Sequence, residues 1–415
     1  MGNEVGAVLA TRQGEDWSDY RERARAAGRR FLEDVQRILP VIRAGREISE
    51  RDARVADASV AAMEEIGVFR ALTPLQYGGL EMEPSMFFAG IIEIAAADPS
   101  AAWIGGQLTI HSFEVALMDP RVQDEFWGPG PDTRASSSYS PLGRAEPVDG
   151  GYVLDGTWTF SSGIDHATWV MLGGRERNHL VPTSDMTIHE GSWDVAGLKG
   201  TGSKSVTLNK VFVPAHRVRS LEDHYHDREP VMRVNDRPLY RMSWRGLFNA
   251  IMPNSAIGAT LGGLNEIIAQ TRVRMAQQGT GAAVATNPHM HVRLARALTH
   301  VNAVRTRQVQ NWSELFDMAC RGEVPSRLER MRVRYEASDA AGTCFDAFCD
   351  LWPHTGAGSV AMSNPLQNTF RDLMAMRNHG SAGRDSAAGL YISALFDLPL
   401  PPMTKIDMGS VALYK

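Results

Sequence analysis

The sequence predicts an α+β protein that is mostly helical, with a helical region at each end and an antiparallel β region between them. Residues 17–120 and 241–415 carry apolar side chains at helical spacing. Residues 121–240 instead carry short β-branched and aromatic runs that Gly and Pro interrupt. We therefore expect a flexible tail over residues 1–16, followed by an N-terminal helical domain, a β domain and a C-terminal helical bundle.

The N-terminal region contains a segment that should form a helix buried on every side. Residues 85–97 (SMFFAGIIEIAAA) are apolar almost all round, which is typical of a central helix. The Asp-Pro-Ser sequence at 98–100 interrupts it, and the next helix should run through His111. Ser49 and Asp52 have the spacing of a capping box, which predicts that a helix begins just after Ser49.

The β region is indicated most clearly by two segments, and the C-terminal region by three long helical patterns. Polarity alternates along residues 152–160 (YVLDGTWTF) and 206–213 (VTLNKVFV), as it does along half-buried strands. Helical spacing then extends over residues 264–277, 291–318 and 326–352, and helices of this length predict an antiparallel bundle. No glycine-rich phosphate loop follows any predicted strand, which argues against a nicotinamide-binding βαβ unit.

Composition excludes several classes of protein. The net charge is only −5, from 43 basic and 48 acidic residues, and long basic runs are absent, so we expect no nucleic-acid partner. No segment approaches the ~18 consecutive apolar residues of a membrane-spanning helix, so we expect no membrane partner. The three cysteines are odd in number, and the first residues lack the pattern of a secretory signal. These features predict a protein of the reducing cytoplasm.

Two patches rich in hydroxyl groups could bind a planar polar ring. One spans residues 136–140 (SSSYS) and the other spans residues 158–163 (WTFSSG). A hydroxyl both donates and accepts hydrogen bonds, which suits an isoalloxazine or a phenol. Serines near turns also bond their own local backbone, and that simpler interpretation stays open at this point. The glycines and hydroxyls of residues 200–203 (GTGS) would let the backbone approach a ligand closely, or would simply connect two strands.

Histidines are the second group of candidates. His111 lies within an apolar helix after Trp103, and His379 lies in an Asn-His-Gly sequence. A neutral imidazole beside an apolar pocket can take a proton from a phenol near neutral pH, although each could also be a histidine of the core or the surface. The histidine pairs at 224/226 and 289/291 lack a third ligand at metal-site spacing, so we predict no metal site.

Three segments, in order along the chain, resemble the acyl-CoA dehydrogenase superfamily. They are residues 67–82 (GVFRALTPLQYGGLEM), 193–218 (WDVAGLKGTGSKSVTLNKVFVPAHRV) and 354–373 (HTGAGSVAMSNPLQNTFRDL). The resemblance runs from about residue 35 to residue 400. It implies the fold of that superfamily, with an N-terminal helical domain, a central antiparallel β domain and a C-terminal four-helix bundle.

Within the superfamily, the chain resembles the flavin-dependent aromatic hydroxylases rather than the dehydrogenases. The dehydrogenases carry a glutamate base after the arginine-aspartate pair, whereas residues 378–381 here read Asn-His-Gly-Ser. Without a carboxylate at this position, no obvious group removes the proton α to a thioester carbonyl. Residues 136–143 (SSSYSPLG) and 156–169 (GTWTFSSGIDHATW) are similar to the corresponding segments of the hydroxylases.

This resemblance implies the oxygenase component of a two-component monooxygenase. Such an enzyme receives reduced flavin, FMNH2 or FADH2, from a separate NAD(P)H:flavin reductase. Oxygen adds at flavin C4a, and the hydroperoxide, shielded from water, hydroxylates a small aromatic substrate, with a phenol favoured. The resemblance also implies a homotetramer. Three alternatives stay open: oxidation at an indole carbon, sulfur or nitrogen; an acyl-CoA dehydrogenase relative; and a flavin-binding scaffold without activity.

The resemblance also assigns roles to individual residues. His111 corresponds to the imidazole that helps form the phenolate, Ser137 to a hydroxyl that touches the phenol, and Ser162 to the hydroxyl beside flavin N5. His379 stands near the place of the missing glutamate and completes the expected catalytic set. The expected flavin contacts, some of them supplied by a neighbouring subunit, are Trp103, Ser138, Tyr139, Phe160, Ser161, Arg274, Ala357, Gly358 and Gly380.

Overall fold

The computed structural model describes residues 17–220, 235–274 and 284–399 of the chain. The expected tail, the histidine pair at 224 and 226 and the loop that follows Arg274 lie outside the described residues. Helices flank two four-stranded sheets, so the predicted α+β, mostly helical class is confirmed.

The N-terminal part of the chain folds into helices packed around a central one. The helices are α1 (Trp17–Asp52), α2 (Asp57–Glu65), α3 (Pro84–Ala97), α4 (Pro99–Val115) and α5 (Pro120–Trp127). No residue of α3 is exposed, which confirms the helix predicted to be buried on every side. Every residue of α4 is buried as well, because helices and a strand pack around it.

The predicted capping box at Ser49 is wrong. Ser49 and Asp52 lie in the last turns of α1, and the next helix begins only at Asp57. The Ser49 hydroxyl oxygen lies 3.0 Å from the Gly45 carbonyl oxygen and 3.2 Å from a carboxylate oxygen of Asp98. The Ser49 hydroxyl therefore bonds to α1 itself and to Asp98 instead of capping a new helix. The reason is that Ser49 already lies inside a helix.

Two four-stranded sheets form the β region, in the orders β1-β4-β5-β8 and β2-β3-β7-β6. The strands are β1 (Ala135–Ser138), β2 (Arg144–Val148), β3 (Gly151–Ser161), β4 (Trp169–Gly173), β5 (Arg177–Pro182), β6 (Thr187–His189), β7 (Lys204–Pro214) and β8 (Val218–Ser220). Among the described strands, β1 pairs with β4 in parallel and the other pairs are antiparallel, so the expectation of a wholly antiparallel domain is wrong at this pair. A parallel pair needs a long crossover, and residues 139–168, which include two strands of the other sheet, supply it.

The described C-terminal part consists of three long helices and two shorter ones, and the first of them begins earlier than predicted. The helices are α6 (Trp244–Val273), α7 (Pro288–Cys320), α8 (Arg327–Leu351), α9 (Pro365–Arg377) and α10 (Arg384–Leu395). The predicted start of α6 at residue 264 is wrong, because Pro253 and Gly258 weaken the local helical pattern. A Cβ at Gly258 would clash with the Ile92 carbonyl oxygen on α3, so this glycine lets the two helices pack closely. Tertiary packing sustains the helix where propensity does not.

Three further features of the described residues concern a histidine contact, metal-binding groups and membrane-spanning helices. His291 Nε2 donates to the Ala285 carbonyl oxygen at 2.6 Å, so this nitrogen is used at the start of α7. No group of three or more His, Cys, Asp or Glu side chains in those ranges could hold a metal ion. Over the same residues, no helix combines the length and the apolar character needed to cross a bilayer.

Candidate active site

Helix α4, strand β1 and the end of β3 meet where the helical and β regions join. Trp103 on α4 contacts Ser162, which follows β3 directly. Ser136 on β1 donates to the Ser162 carbonyl oxygen at 2.8 Å, and Ser138 donates to a main-chain carbonyl oxygen of β3 at 2.6 Å. These bonds tie β1 to β3, so two polar clusters lie side by side, one around His111 and one around Ser162.

The His111 cluster is a hydrogen-bonded chain in the protein interior, and His111 is 1% exposed. Its Nε2 atom lies 2.8 Å from the Ser137 hydroxyl oxygen, and its Nδ1 atom lies 3.0 Å from the Tyr139 hydroxyl oxygen. Tyr139 donates to Glu114 Oε2, and Glu114 Oε1 accepts from Arg219 Nη1 at 2.8 Å. The chain therefore runs from a buried ion pair to the Ser137 hydroxyl.

Glu114 and Arg219 are members of this cluster that the sequence analysis missed. Glu114 had one signal, since it is the single carboxylate in α4 and lies three positions after His111, on the same helix face. Arg219 lies on β8, 105 positions from Glu114, and no local pattern predicts the contact. Tyr139, for which a flavin contact is expected, is hydrogen-bonded within this cluster.

Aromatic rings from α6 pack against the His111 cluster. The Phe248 ring centroid lies 5.8 Å from that of His111 and 5.6 Å from that of Tyr139. Trp244 stacks on Phe248 with centroids 5.2 Å apart. Such rings exclude water, which strengthens the hydrogen bonds they surround, and they offer faces on which a further aromatic ring can pack.

The Ser162 cluster is a second chain of neutral groups. The Ser162 hydroxyl oxygen accepts from Trp103 Nε1 at 3.3 Å and lies 2.7 Å from the Ser203 hydroxyl oxygen. Ser203 lies 2.7 Å from Thr201 Oγ1, which donates to the Leu198 carbonyl oxygen at 2.8 Å. The segment that carries Thr201 and Ser203 thus contributes hydroxyls to the cluster instead of only connecting two strands.

A β-bulge aims the side chains at the end of β3. The register between β3 and β7 shifts between Trp158 and Ser161, and Phe160 has a φ of 64°. Residues other than glycine rarely adopt positive φ, and bulges are frequent beside active sites. Phe160 is 59% exposed, Ser162 is half-buried, and the fully buried Ser161 hydroxyl has no hydrogen-bond partner in the part of the chain described. The bulge thus gives three consecutive side chains three different environments.

His379 lies beside the Ser162 cluster, with its ring centroid 5.2 Å from that of Trp103. Its Nδ1 atom accepts from the Ser381 N–H at 3.2 Å, so the neutral ring carries its proton on Nε2. Burial lowers the pKa of His379 to about 4, which keeps the ring neutral at physiological pH. The neighbouring Gly380 has open space where a Cβ would stand.

The remaining expected flavin contacts lie elsewhere in the chain. Arg274 follows the last residue of α6, where its guanidinium donates to the carbonyl oxygens of residues 354–355. The helix places it about 40 Å along its axis from Phe248, at a rise of ~1.5 Å per residue. Ala357 and Gly358 are exposed on the short turn that follows. A flavin bound beside the His111 and Ser162 clusters would reach Arg274, Ala357 and Gly358 in one of two ways. The flavin would extend along α6, or a second subunit would supply these residues.

Comparison with known proteins identifies the family. The oxygenase subunit HsaA of a flavin-dependent monooxygenase from Rhodococcus jostii is 32% identical over 379 residues, which cover 89% of this chain and 99% of that protein. The chain belongs to this monooxygenase family. The oxygenase component of p-hydroxyphenylacetate 3-hydroxylase from Acinetobacter baumannii is 29% identical over 386 residues, or 91% of each protein.

Fold comparison agrees with the sequence relatives. XiaF from a Streptomyces species, solved with FADH2 and glycerol, superposes on this monooxygenase with a TM-score of 0.86 at 25% identity, covering 93% of this chain and 100% of XiaF. Residues 251–383 match the family described as acyl-CoA dehydrogenase, C-terminal domain. The predictions of the superfamily, of a flavin-dependent oxygenase component and of reduced flavin as its cofactor are confirmed.

The residues around Ser162 fit the flavin ring system that this monooxygenase uses. They offer the Ser162 hydroxyl oxygen and the Nε2–H of His379, both neutral, and the ring of Trp103, whose N–H is donated to Ser162. A planar ring rich in nitrogen and oxygen binds through neutral donors and acceptors of this kind. The open space at Gly380 leaves room for a ring to approach the backbone closely.

Proposed function

We propose that this monooxygenase hydroxylates a small phenol whose hydroxyl group binds at Ser137, with His111 as the base. The strongest support is the buried 2.8 Å contact between Ser137 Oγ and His111 Nε2. An imidazole nitrogen that faces a hydroxyl through its lone pair can take the proton of that hydroxyl as a general base. The p-hydroxyphenylacetate 3-hydroxylase relative is named for a phenolic substrate, which supports the same substrate class here.

The proton transfer uses the side chains of the first cluster. The phenol gives its proton to Ser137 Oγ while Ser137 passes its own proton to His111 Nε2. The phenolate that results has a more electron-rich ring, which reacts more readily with an electrophilic oxygen atom. When bound, reduced flavin supplies that activated oxygen. The rings of Phe248 and Trp244 would pack beside the substrate ring and keep water out.

We assign the flavin ring to the second cluster. Ser162 and His379 would hold it through neutral hydrogen bonds, and the rings of Trp103 and exposed Phe160 would add aromatic faces. Ser138 would connect the strands behind the ring, Ser161 would lie buried at the end of β3, and Tyr139 would bond to His111. The contacts that a second subunit would supply are Arg274, Ala357 and Gly358.

The test is a single-turnover experiment with reduced flavin, oxygen and a panel of phenols, each paired with its methyl ether. The ether keeps the ring and its bulk but has no ionisable hydroxyl. We expect the wild type to hydroxylate the phenols and not the ethers. His111→Ala should slow hydroxylation by about 10²- to 10⁴-fold, the usual contribution of a general base. Equal turnover of phenol and ether, or an unchanged rate in His111→Ala, would refute the proposal.

We also propose the partners and location of this chain. Reduced flavin would come from a separate NAD(P)H:flavin reductase, because no glycine-rich nucleotide loop follows a predicted strand. The exposed apolar side chains of Ile392, Leu395 and Phe396 support a homotetramer with the C-terminal helices at its centre. The free thiols of Cys320 and Cys344 support a cytoplasmic location.

A further inference from the structure

We infer that the Arg219–Glu114 ion pair, acting through Tyr139, positions His111 as a base by fixing which ring nitrogen carries the proton. The inference rests on the proposed function, because it concerns the same proton transfer. These three residues act through His111, so they are positioning residues rather than catalytic ones. Their effect follows from the direction of each hydrogen bond in the chain.

Glu114 only accepts hydrogen bonds in this cluster. Its side chain is completely buried and paired with Arg219, whose guanidinium stays protonated and has no acceptor. Each carboxylate oxygen has its own partner, Arg219 at Oε1 and Tyr139 at Oε2. An ionised carboxylate has no proton to give, so Tyr139 is the donor in their bond.

The tyrosine then determines the state of the histidine. Desolvation, reinforced by the Glu114 carboxylate, raises the pKa of Tyr139 well above its ordinary value, so the hydroxyl keeps its proton. Because that proton is directed at Glu114, the Tyr139 oxygen accepts from His111, and Nδ1 of His111 carries a proton. In a neutral imidazole the other nitrogen, Nε2, holds the lone pair and accepts from Ser137.

The surroundings of His111 support this arrangement. Among the residues that the structure describes, the charged neighbour on its own helix is Glu114, and the charged neighbour from β8 is Arg219. The residues on and just after β1 contribute two hydroxyls, and α6 contributes the uncharged ring of Phe248. When Nε2 takes a proton, the positive ring faces the oxygen of Tyr139, with the Glu114 carboxylate behind it. A carboxylate orients histidine through Nδ1–H in the serine hydrolase triad; here a tyrosine hydroxyl is interposed.

Tyr139→Phe is the variant that tests the inference. It removes the hydroxyl and keeps a ring to pack against Phe248. Without the Tyr139 oxygen, the Nδ1 proton of His111 loses the contact that fixes it, and the ring can carry its proton on Nε2, where it no longer accepts from Ser137. We expect hydroxylation to slow by roughly 5- to 150-fold, the range for one buried hydrogen bond, while reduced-flavin binding stays unchanged.

Tyr240→Phe is the matched control. The Tyr240 hydroxyl is also buried, donates to the Leu72 carbonyl oxygen at 3.1 Å, and belongs to a ring stacked on Phe113. Its removal makes the same chemical change at a buried hydroxyl that belongs to neither cluster. We expect hydroxylation by Tyr240→Phe to stay within twofold of the wild type.

The dependence on pH separates positioning from a merely structural role. Above the pKa of the substrate phenol, near 10 for an ordinary phenol, the substrate is already ionised and needs no base. The deficit of Tyr139→Phe should therefore be largest at neutral pH and disappear as the pH rises through that value. 4-Nitrophenol gives a readout without turnover, because its absorbance reports ionisation. Tyr139→Phe should shift the titration of the bound nitrophenol towards its value in free solution.

The outcomes distinguish this inference from the proposed function. If the wild type does not hydroxylate phenols, the proposed function fails. If it does, and His111→Ala is slow while Tyr139→Phe equals the wild type at every pH, the role of Tyr139 is overturned and the proposed function stands. ¹⁵N-histidine NMR of the wild type, with the signal assigned by its loss in His111→Gln, should show the proton on Nδ1. A proton on Nε2 would overturn the inference even if Tyr139→Phe failed to fold.

Discussion

The hydroxyl chain at Ser162 predicts how this enzyme retains its activated oxygen. Thr201 gives its proton to the Leu198 carbonyl oxygen, so it accepts from Ser203, and Ser203 in turn accepts from Ser162. Ser162 therefore donates to Ser203 and accepts from the Trp103 N–H, which leaves one lone pair on its oxygen. That lone pair suits an N–H donor, which a reduced flavin ring presents.

Ser162→Ala removes this acceptor, and the expected effect can be estimated. Ser162 would hold the N–H proton of a bound reduced flavin, and a hydrogen bond there would slow the loss of the activated oxygen as hydrogen peroxide. One buried hydrogen bond is worth about 1–3 kcal/mol. At about 1.4 kcal/mol per decade of rate, peroxide loss should accelerate by roughly 5- to 150-fold. We expect Ser162→Ala to fold, to bind reduced flavin and to release more hydrogen peroxide per oxygen consumed.

The assay measures hydroxylated product and hydrogen peroxide per oxygen consumed, with the Kd for reduced flavin from anaerobic titration. Ser161→Ala is the matched control, since it makes the same change one residue earlier, at a fully buried side chain. Ser203→Ala removes the acceptor of the Ser162 proton and leaves the Ser162 oxygen in place, so its effect should be smaller than that of Ser162→Ala. Equal coupling in Ser162→Ala and the wild type, or a larger effect from Ser161→Ala, would refute the assignment.

The remaining predictions concern the reductase, the dehydrogenase alternative and the pH dependence of stability. The purified chain should not oxidise NADH by itself, and hydroxylation should appear when a flavin reductase is added. NADH oxidation by this chain alone, at the rate of hydroxylation, would contradict the need for a separate reductase. No acyl-CoA should bleach oxidised flavin on the enzyme anaerobically, since His379, with its pKa near 4, is a weak base; bleaching by any acyl-CoA would contradict this. Burial raises the pKa of Asp372 to about 7, so its contribution to stability is present at low pH and is lost as the pH rises through about 7. Between about pH 5 and about pH 8, the Tm should therefore fall more in the wild type than in Asp372→Asn. The variant keeps an acceptor for the Leu198 N–H. Parallel curves of Tm against pH would count against this reasoning.

Local patterns predicted the succession of helices and strands, and the resemblance of three segments predicted the family. The apolar run of α3 and the alternation along β3 and β7 reflect interactions between near neighbours in the chain. Such periodicity can be recognised from the sequence alone. The same locality explains the errors. The spacing at Ser49 suggested a helix start, and the weak pattern around Pro253 hid the first half of α6, because in both places tertiary packing determines the backbone.

By itself the sequence determined which residues to consider: Ser137 and Ser162 in two hydroxyl-rich motifs, His111 in an apolar helix and His379 in an Asn-His-Gly sequence. Only the tertiary structure decided how they associate. It brings Ser137 into contact with His111, and it adds Glu114 on α4 and Arg219 on β8 to the same hydrogen-bonded chain. The physical reason is that the state of a buried proton depends on the whole hydrogen-bonded chain. The members of that chain come from elements far apart in sequence, so no local pattern records their contact.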